Sequence, residues 1–146
     1  MIFLDSSVLA RLILRDQPAA YLAARELLRQ PKRYGVTGTV LLELVWLLKS
    51  KRIGNNDLSR AIAAILALPN LHCPDIEAVW TAQMAHTAGM DFADALHLAI
   101  SAEAGATAFV TADPVLARHA ERLGLQPPVT LIASGSALDA AAPSGG

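Results

Sequence analysis

The chain has 146 residues, enough for one domain with a sizeable core. It is 53% hydrophobic but only 5% aromatic, a balance that favours helices and buried parallel strands over an aromatic-rich sandwich. A lone cysteine, Cys73, excludes an internal disulfide; no apolar run has the length of a membrane span, and Met1–Leu4 lacks the basic start of a signal peptide, so a reducing, cytoplasmic setting is expected.

The net charge of −1 hides an asymmetry. Ten of the 12 Lys and Arg fall in residues 1–60 with five of the 13 Asp and Glu, while the remainder holds two basic and eight acidic residues. The halves therefore carry +5 and −6. A fold that sets the acidic half beside the basic one would hold a polyanion next to metal ions; a surface of mixed sign is also ordinary.

Ile2–Leu4 reads as a short buried strand. Helical patterns follow over Ser6–Leu14 and from Pro18 to Gln30, with Pro18 suited to a first turn and Pro31 ending the second helix. Tyr34–Val36 is a second strand. Thr37 or Thr39 caps a helix running to about Arg52. Gly54–Asp57 is a turn, and Leu58–Leu68 a helix closed by Pro69. Leu71–Cys73 is a strand ended by Pro74. Asp75 caps a helix to about Ala88, stopped by Gly89. Asp91–Ala104 is helical and ends at Gly105. Ala108–Thr111 is a strand, Asp113-Pro114 starts the helix Val115–Leu123, and Val129–Ile132 is a last strand. Residues 133–146, rich in Ala, Ser and Gly, are expected to form a disordered tail. Trp46 and Trp80 lie in apolar helical patterns and read as core. Strands alternating with helices predict a parallel sheet covered on both faces, with the active site at the carboxyl ends of the strands.

Four acids stand out against this frame. Asp5 and Asp113 each follow an apolar strand, where aspartate is a common helix cap; one carboxylate oxygen can cap while the other faces a metal. Glu43 is enclosed by apolar neighbours in Val40–Leu48 and is expected to be buried or half-buried, either beside a metal or paired with Arg11 or Arg15. Asp94 shares a helix face with Asp91, a candidate cap, and is followed one turn later by His97, a proton donor or a packed histidine. Taken together, four such carboxylates would repel strongly without cations. Oxygen-only ligands select Mg²⁺ or Mn²⁺, and such ions activate water and stabilise charge on a phosphoryl oxygen. Ser7 and Thr111 are candidates to orient water or phosphate, or are plain element-end residues. No Gly-rich phosphate loop, nucleophile elbow or zinc spacing is present.

Asp5-Ser-Ser-Val-Leu, Glu43 in a helix, Asp94-Ala-Leu-His-Leu-Ala and Thr111-Ala-Asp113 together resemble the PIN-domain family, and most closely the VapC-type toxins of toxin–antitoxin pairs. The likeness covers roughly residues 1–132. It implies an α/β fold, a single PIN-like domain with a short central parallel sheet flanked by helices. It implies that Asp5, Glu43, Asp94 and Asp113 bind Mg²⁺ or Mn²⁺, with Ser7 and Thr111 at supporting polar positions and Asp91 as an additional nearby acid. It further implies cleavage of single-stranded RNA such as tRNA or rRNA, a homodimer, and inhibition by an antitoxin that wraps the toxin. Pro114-Val115 departs from the bulky apolar residue that many members carry soon after the last aspartate. Two other readings stay open: a non-catalytic PIN-like binding module, and a metal nuclease acting on DNA.

Overall fold

In the computed structural model, residues 1–132 are described, so the expected tail at 133–146 lies outside the described residues. Strand β1 (Ile2–Phe3) pairs parallel with β2 (Tyr34–Gly35), which pairs parallel with β3 (Leu71–His72). A separate parallel pair joins β4 (Phe109–Thr111) to β5 (Val129–Leu131). All ladders are parallel, as the strand–helix alternation predicts, but they divide into a sheet of order β1-β2-β3 and the pair β4-β5.

The middle strand β2 is the best buried. Tyr34 is fully enclosed, and its hydroxyl donates to the Leu27 carbonyl at 2.6 Å, which satisfies the one polar atom on a buried ring. At Gly35 a Cβ would sit 2.8 Å from the Phe3 ring carbons across the ladder, so a larger residue would push that exposed ring aside.

Among the described residues, seven helices surround the strands: α1 (Ser6–Leu14), α2 (Pro18–Arg29), α3 (Gly38–Ser50), α4 (Asn55–Leu66), α5 (Ile76–Thr87), α6 (Phe92–Glu103) and α7 (Pro114–Leu123). Thr37, rather than Thr39, caps α3 by accepting from the Val40 N–H at 3.4 Å. The Asp75 carboxylate reinforces that end by accepting from the Gly38 N–H at 2.9 Å. The predicted turn at Asn55–Asp57 is instead the first turn of α4, where Asn and Asp are tolerated because the N–H groups there lack helical partners. Gly124 ends α7 in the left-handed conformation at φ 63, which glycine adopts without strain.

The core is built where helical stripes meet. Leu41, Leu44, Val45 and Leu48 bury one side of α3 against Leu9 of α1, Leu58 and Ile62 of α4, and Leu96 of α6. Each such leucine contributes roughly 1.5–3 kcal/mol by leaving water. With that stripe turned inward, Trp46 faces out and is 55% exposed. Trp80 on α5 is likewise 41% exposed, so neither tryptophan belongs to the core as expected. An apolar run that continues around a helix does not reveal its inward face, and the sequence reading placed both indoles on the wrong side. Helix α7 lies over β4 and β5, inserts Leu116 and Ala120 into the core, and is tied to the end of α5 by Arg122, which donates to the Ala88 carbonyl at 2.9 Å. Among the described residues, no helix is long and apolar enough to cross a membrane.

Candidate active site

Asp5 lies directly after β1 and caps α1. Its Oδ2 accepts from the Ser7 hydroxyl at 2.7 Å and from the Ser7 N–H at 3.4 Å. The Ser7 hydroxyl, then its N–H, hold the exposed Asp5 carboxyl below its ordinary range, so it is ionised whenever the protein is folded near neutrality. The next residue, Ser6, turns the other way and donates its hydroxyl to Glu43 Oε2 at 3.0 Å. One chain reversal therefore ties two of the expected acids together.

Glu43 corrects its expectation. It is on the exposed side of α3, and neither Arg11 nor Arg15 pairs with it. Arg11 bonds Asp16 at 3.3 Å, and Arg15 stacks over Tyr21 at 5.0 Å. The carboxylate is kept in place by Ser6, a residue the sequence reading did not single out. Its one available signal was the doubled serine at a helix start, with a hydroxyl for each direction.

The second group is built on α6. Asp91 caps that helix by accepting from the Asp94 N–H at 3.1 Å, and its other oxygen meets Lys49 Nζ at 3.1 Å. Burial pushes the Asp91 carboxyl up, but the Asp94 N–H and the Lys49 ammonium outweigh it, and the net displacement is downward. Asp91 is thus a structural anchor that draws Lys49 across from α3. Asp94 moves the opposite way: partial burial first, then the charges of Asp91 and Asp113, raise its carboxyl, while His97 and Lys49 pull it back. Asp113 follows β4, caps α7 through the Val115 N–H at 2.8 Å, and receives its own shape from Thr111, whose hydroxyl accepts from the Asp113 N–H at 3.1 Å.

The four expected acids therefore stand in two groups: Asp5 with Glu43 through Ser6, and Asp94 with Asp113, beside Asp91 and Lys49. Among the described residues no three His, Cys, Asp or Glu side chains converge closely enough to share one metal ion. The donor chemistry nonetheless suits a hard divalent cation, since every candidate ligand is a carboxylate oxygen and the Asp94 carboxyl is raised by burial and by the charges of Asp91 and Asp113.

Lys49 gives the group its testable feature. Lys49→Met should raise the Asp91 carboxyl and cost about 0.5 kcal/mol at neutral pH, because both side chains are more than a third exposed and water screens the pair. Asp91's depressed value makes its contribution complete above the ordinary aspartate value of 3.8 and lost as pH falls through the folded value. Melting of the variant and the wild type should therefore converge in acid, and carboxyl NMR titration should show Asp91 titrating higher.

The family model of the PIN domain matches residues 2–122, and the chain belongs to that family. Among solved structures, the chain is similar to the Mycobacterium tuberculosis VapC20 toxin, which cleaves the sarcin–ricin loop, at 23% identity. That match covers 86% of this chain and 96% of the other with a TM-score of 0.41. A search of curated proteins finds no match.

Proposed function

We propose that this PIN-domain protein is a metal-dependent endoribonuclease of the VapC toxin type, cutting single-stranded regions of RNA. The observation that carries the reading is the gathering of acids where α6 and α7 begin: Asp94, raised first by partial burial and then by the charges of Asp91 and Asp113, has Lys49 and His97 set against that rise. A protein that maintains such repulsion gains little in stability from it, and a bound cation is the simplest relief. Asp5, Glu43, Asp94 and Asp113 would hold Mg²⁺ or Mn²⁺. When bound, such a cation supplies the positive charge that acidifies water and offsets charge at a phosphoryl oxygen. Ser7 keeps Asp5 ionised and oriented, Ser6 fixes Glu43, and Thr111 shapes the turn that presents Asp113.

An antitoxin partner would find a candidate surface away from the candidate ligand acids. A groove of about 690 Å³ between α1, α2 and α4 is floored by Leu12, Leu28 and Ile65. Arg15, Arg25, Arg29 and Arg60 edge it, with Asp57 beside Arg60 as the one acid of the lining. An amphipathic segment with an apolar face and flanking acids complements that groove.

The test combines binding and cleavage. Millimolar Mn²⁺ should raise the melting temperature, corresponding to about 2.7 kcal/mol at a hundred times the dissociation constant. The same ion, and not EDTA, should support cutting of a cellular RNA pool but not of duplex DNA. A thermal shift without RNA cleavage would leave a metal site acting on another substrate. Neither response would mark the protein as a non-catalytic binding module.

A further inference from the structure

Trp46 lies on α3 three residues after Glu43 and three before Lys49. At 1.5 Å per residue it is about 4.5 Å along the helix axis from each. Glu43 is tied to the Asp5 group through Ser6 at 3.0 Å, and Lys49 to the Asp94 group through Asp91 at 3.1 Å. On the surface of α3 the indole is therefore flanked by one residue tied to each carboxylate group, and it is more than half exposed.

Its surroundings argue against a protein interface. The exposed stripe it occupies continues as Thr39, Glu43 and Ser50 at helical spacing, all polar. The centre of a protein interface is apolar and poor in charge. A flat aromatic face on the same helix surface as an acid suited to phosphodiester chemistry matches what a single strand presents: an unpaired base next to its phosphate.

We propose that Trp46 is a stacking platform for an unpaired RNA base next to the phosphate being cut. This rests on the ribonuclease reading above and names how the substrate is positioned. Because every base has a π-face, Trp46 supplies affinity and placement without base identity. A paired base is already stacked in its own helix, so the same residue favours single strands.

The sequence has two tryptophans, so Trp80→Phe leaves Trp46 as the sole indole reporter. Short oligoadenylate or oligouridylate, added in EDTA at low salt to prevent cleavage, should quench its fluorescence, and duplex RNA should not. Trp46→Ala should weaken oligonucleotide binding about 5- to 150-fold, and Trp46→Phe should restore most of it. Being exposed, Trp46 should leave the melting temperature almost unchanged when replaced. In cleavage assays KM should rise more than kcat falls. Unchanged binding and KM in Trp46→Ala, in an enzyme whose wild type cleaves RNA, would overturn the proposal. So would a dimer that Trp46→Ala converts to monomers at unaltered RNA affinity, which would assign the indole to a second copy. A wild type that cleaves no RNA would sink the ribonuclease reading instead, and the EDTA binding series would still judge Trp46 separately.

Discussion

Asp94→Asn is expected to cut RNA cleavage by about 10²–10³-fold, the usual cost of removing one group that stabilises developing charge, while slightly raising the melting temperature of the metal-free protein. The two effects share a cause. The first turn of α6 favours an acid at Asp94, because the helix N-terminus carries partial positive charge. Burial and the charges of Asp91 and Asp113 oppose it, and the raised carboxyl shows that they win. Asparagine keeps the shape and removes the repulsion. For an acid whose folded value is raised, the charged form is disfavoured in the native state, so the penalty is present above the folded value and absent below 3.8. The stability gain of the variant should therefore be seen at neutral pH and vanish as pH falls through that window. Adding Mn²⁺ should reverse the order, because only the wild type keeps the full set of carboxylates. Full cleavage by Asp94→Asn would remove this residue from the catalytic set.

Much of this was legible in the chain before its fold was known. The strand–helix alternation gave the parallel pairing, and Asp5 and Asp113, each just past a strand, are both found capping the next helix. The cap and the candidate ligand turned out to be the same residue, since a carboxylate has an oxygen for each task. What sequence missed was rotational and long-range. The apolar run around Glu43 has no polar gap to mark its outward face, so Glu43 and Trp46 were assigned inward. Only packing of Leu41, Leu44 and Leu48 decides that face. The bonds from Ser6 to Glu43 and from Lys49 to Asp91 span 37 and 42 residues, a separation no local pattern encodes.

The support beneath the site should be as sensitive as the site itself. Phe92→Ala is expected to lose about 3–5 kcal/mol in urea unfolding, the range for truncating a buried ring. Phe92 is fully enclosed in the first turn of α6, between Asp91 and Asp94, and its ring meets His86 edge-on at 6.0 Å. His86 Nδ1 lies 3.0 Å from the Met90 carbonyl, which can only accept, so the imidazole carries its proton there. Its Nε2 is buried without a partner among the described residues. A cavity opened beside this atom would be polar enough on one wall to admit water, which would hydrogen-bond Nε2 and recover part of the loss. The cost should therefore fall at the lower end of the range, and Phe92→Leu, which leaves less room for water, should cost less still. A loss under about 1 kcal/mol would mean that the ring does not fill the core as described. Because Phe92 sets the start of α6, the same variant should also weaken Mn²⁺ binding, although the ring touches no ligand: Asp91 and Asp94 can hold their places only while the helix start between them stays packed.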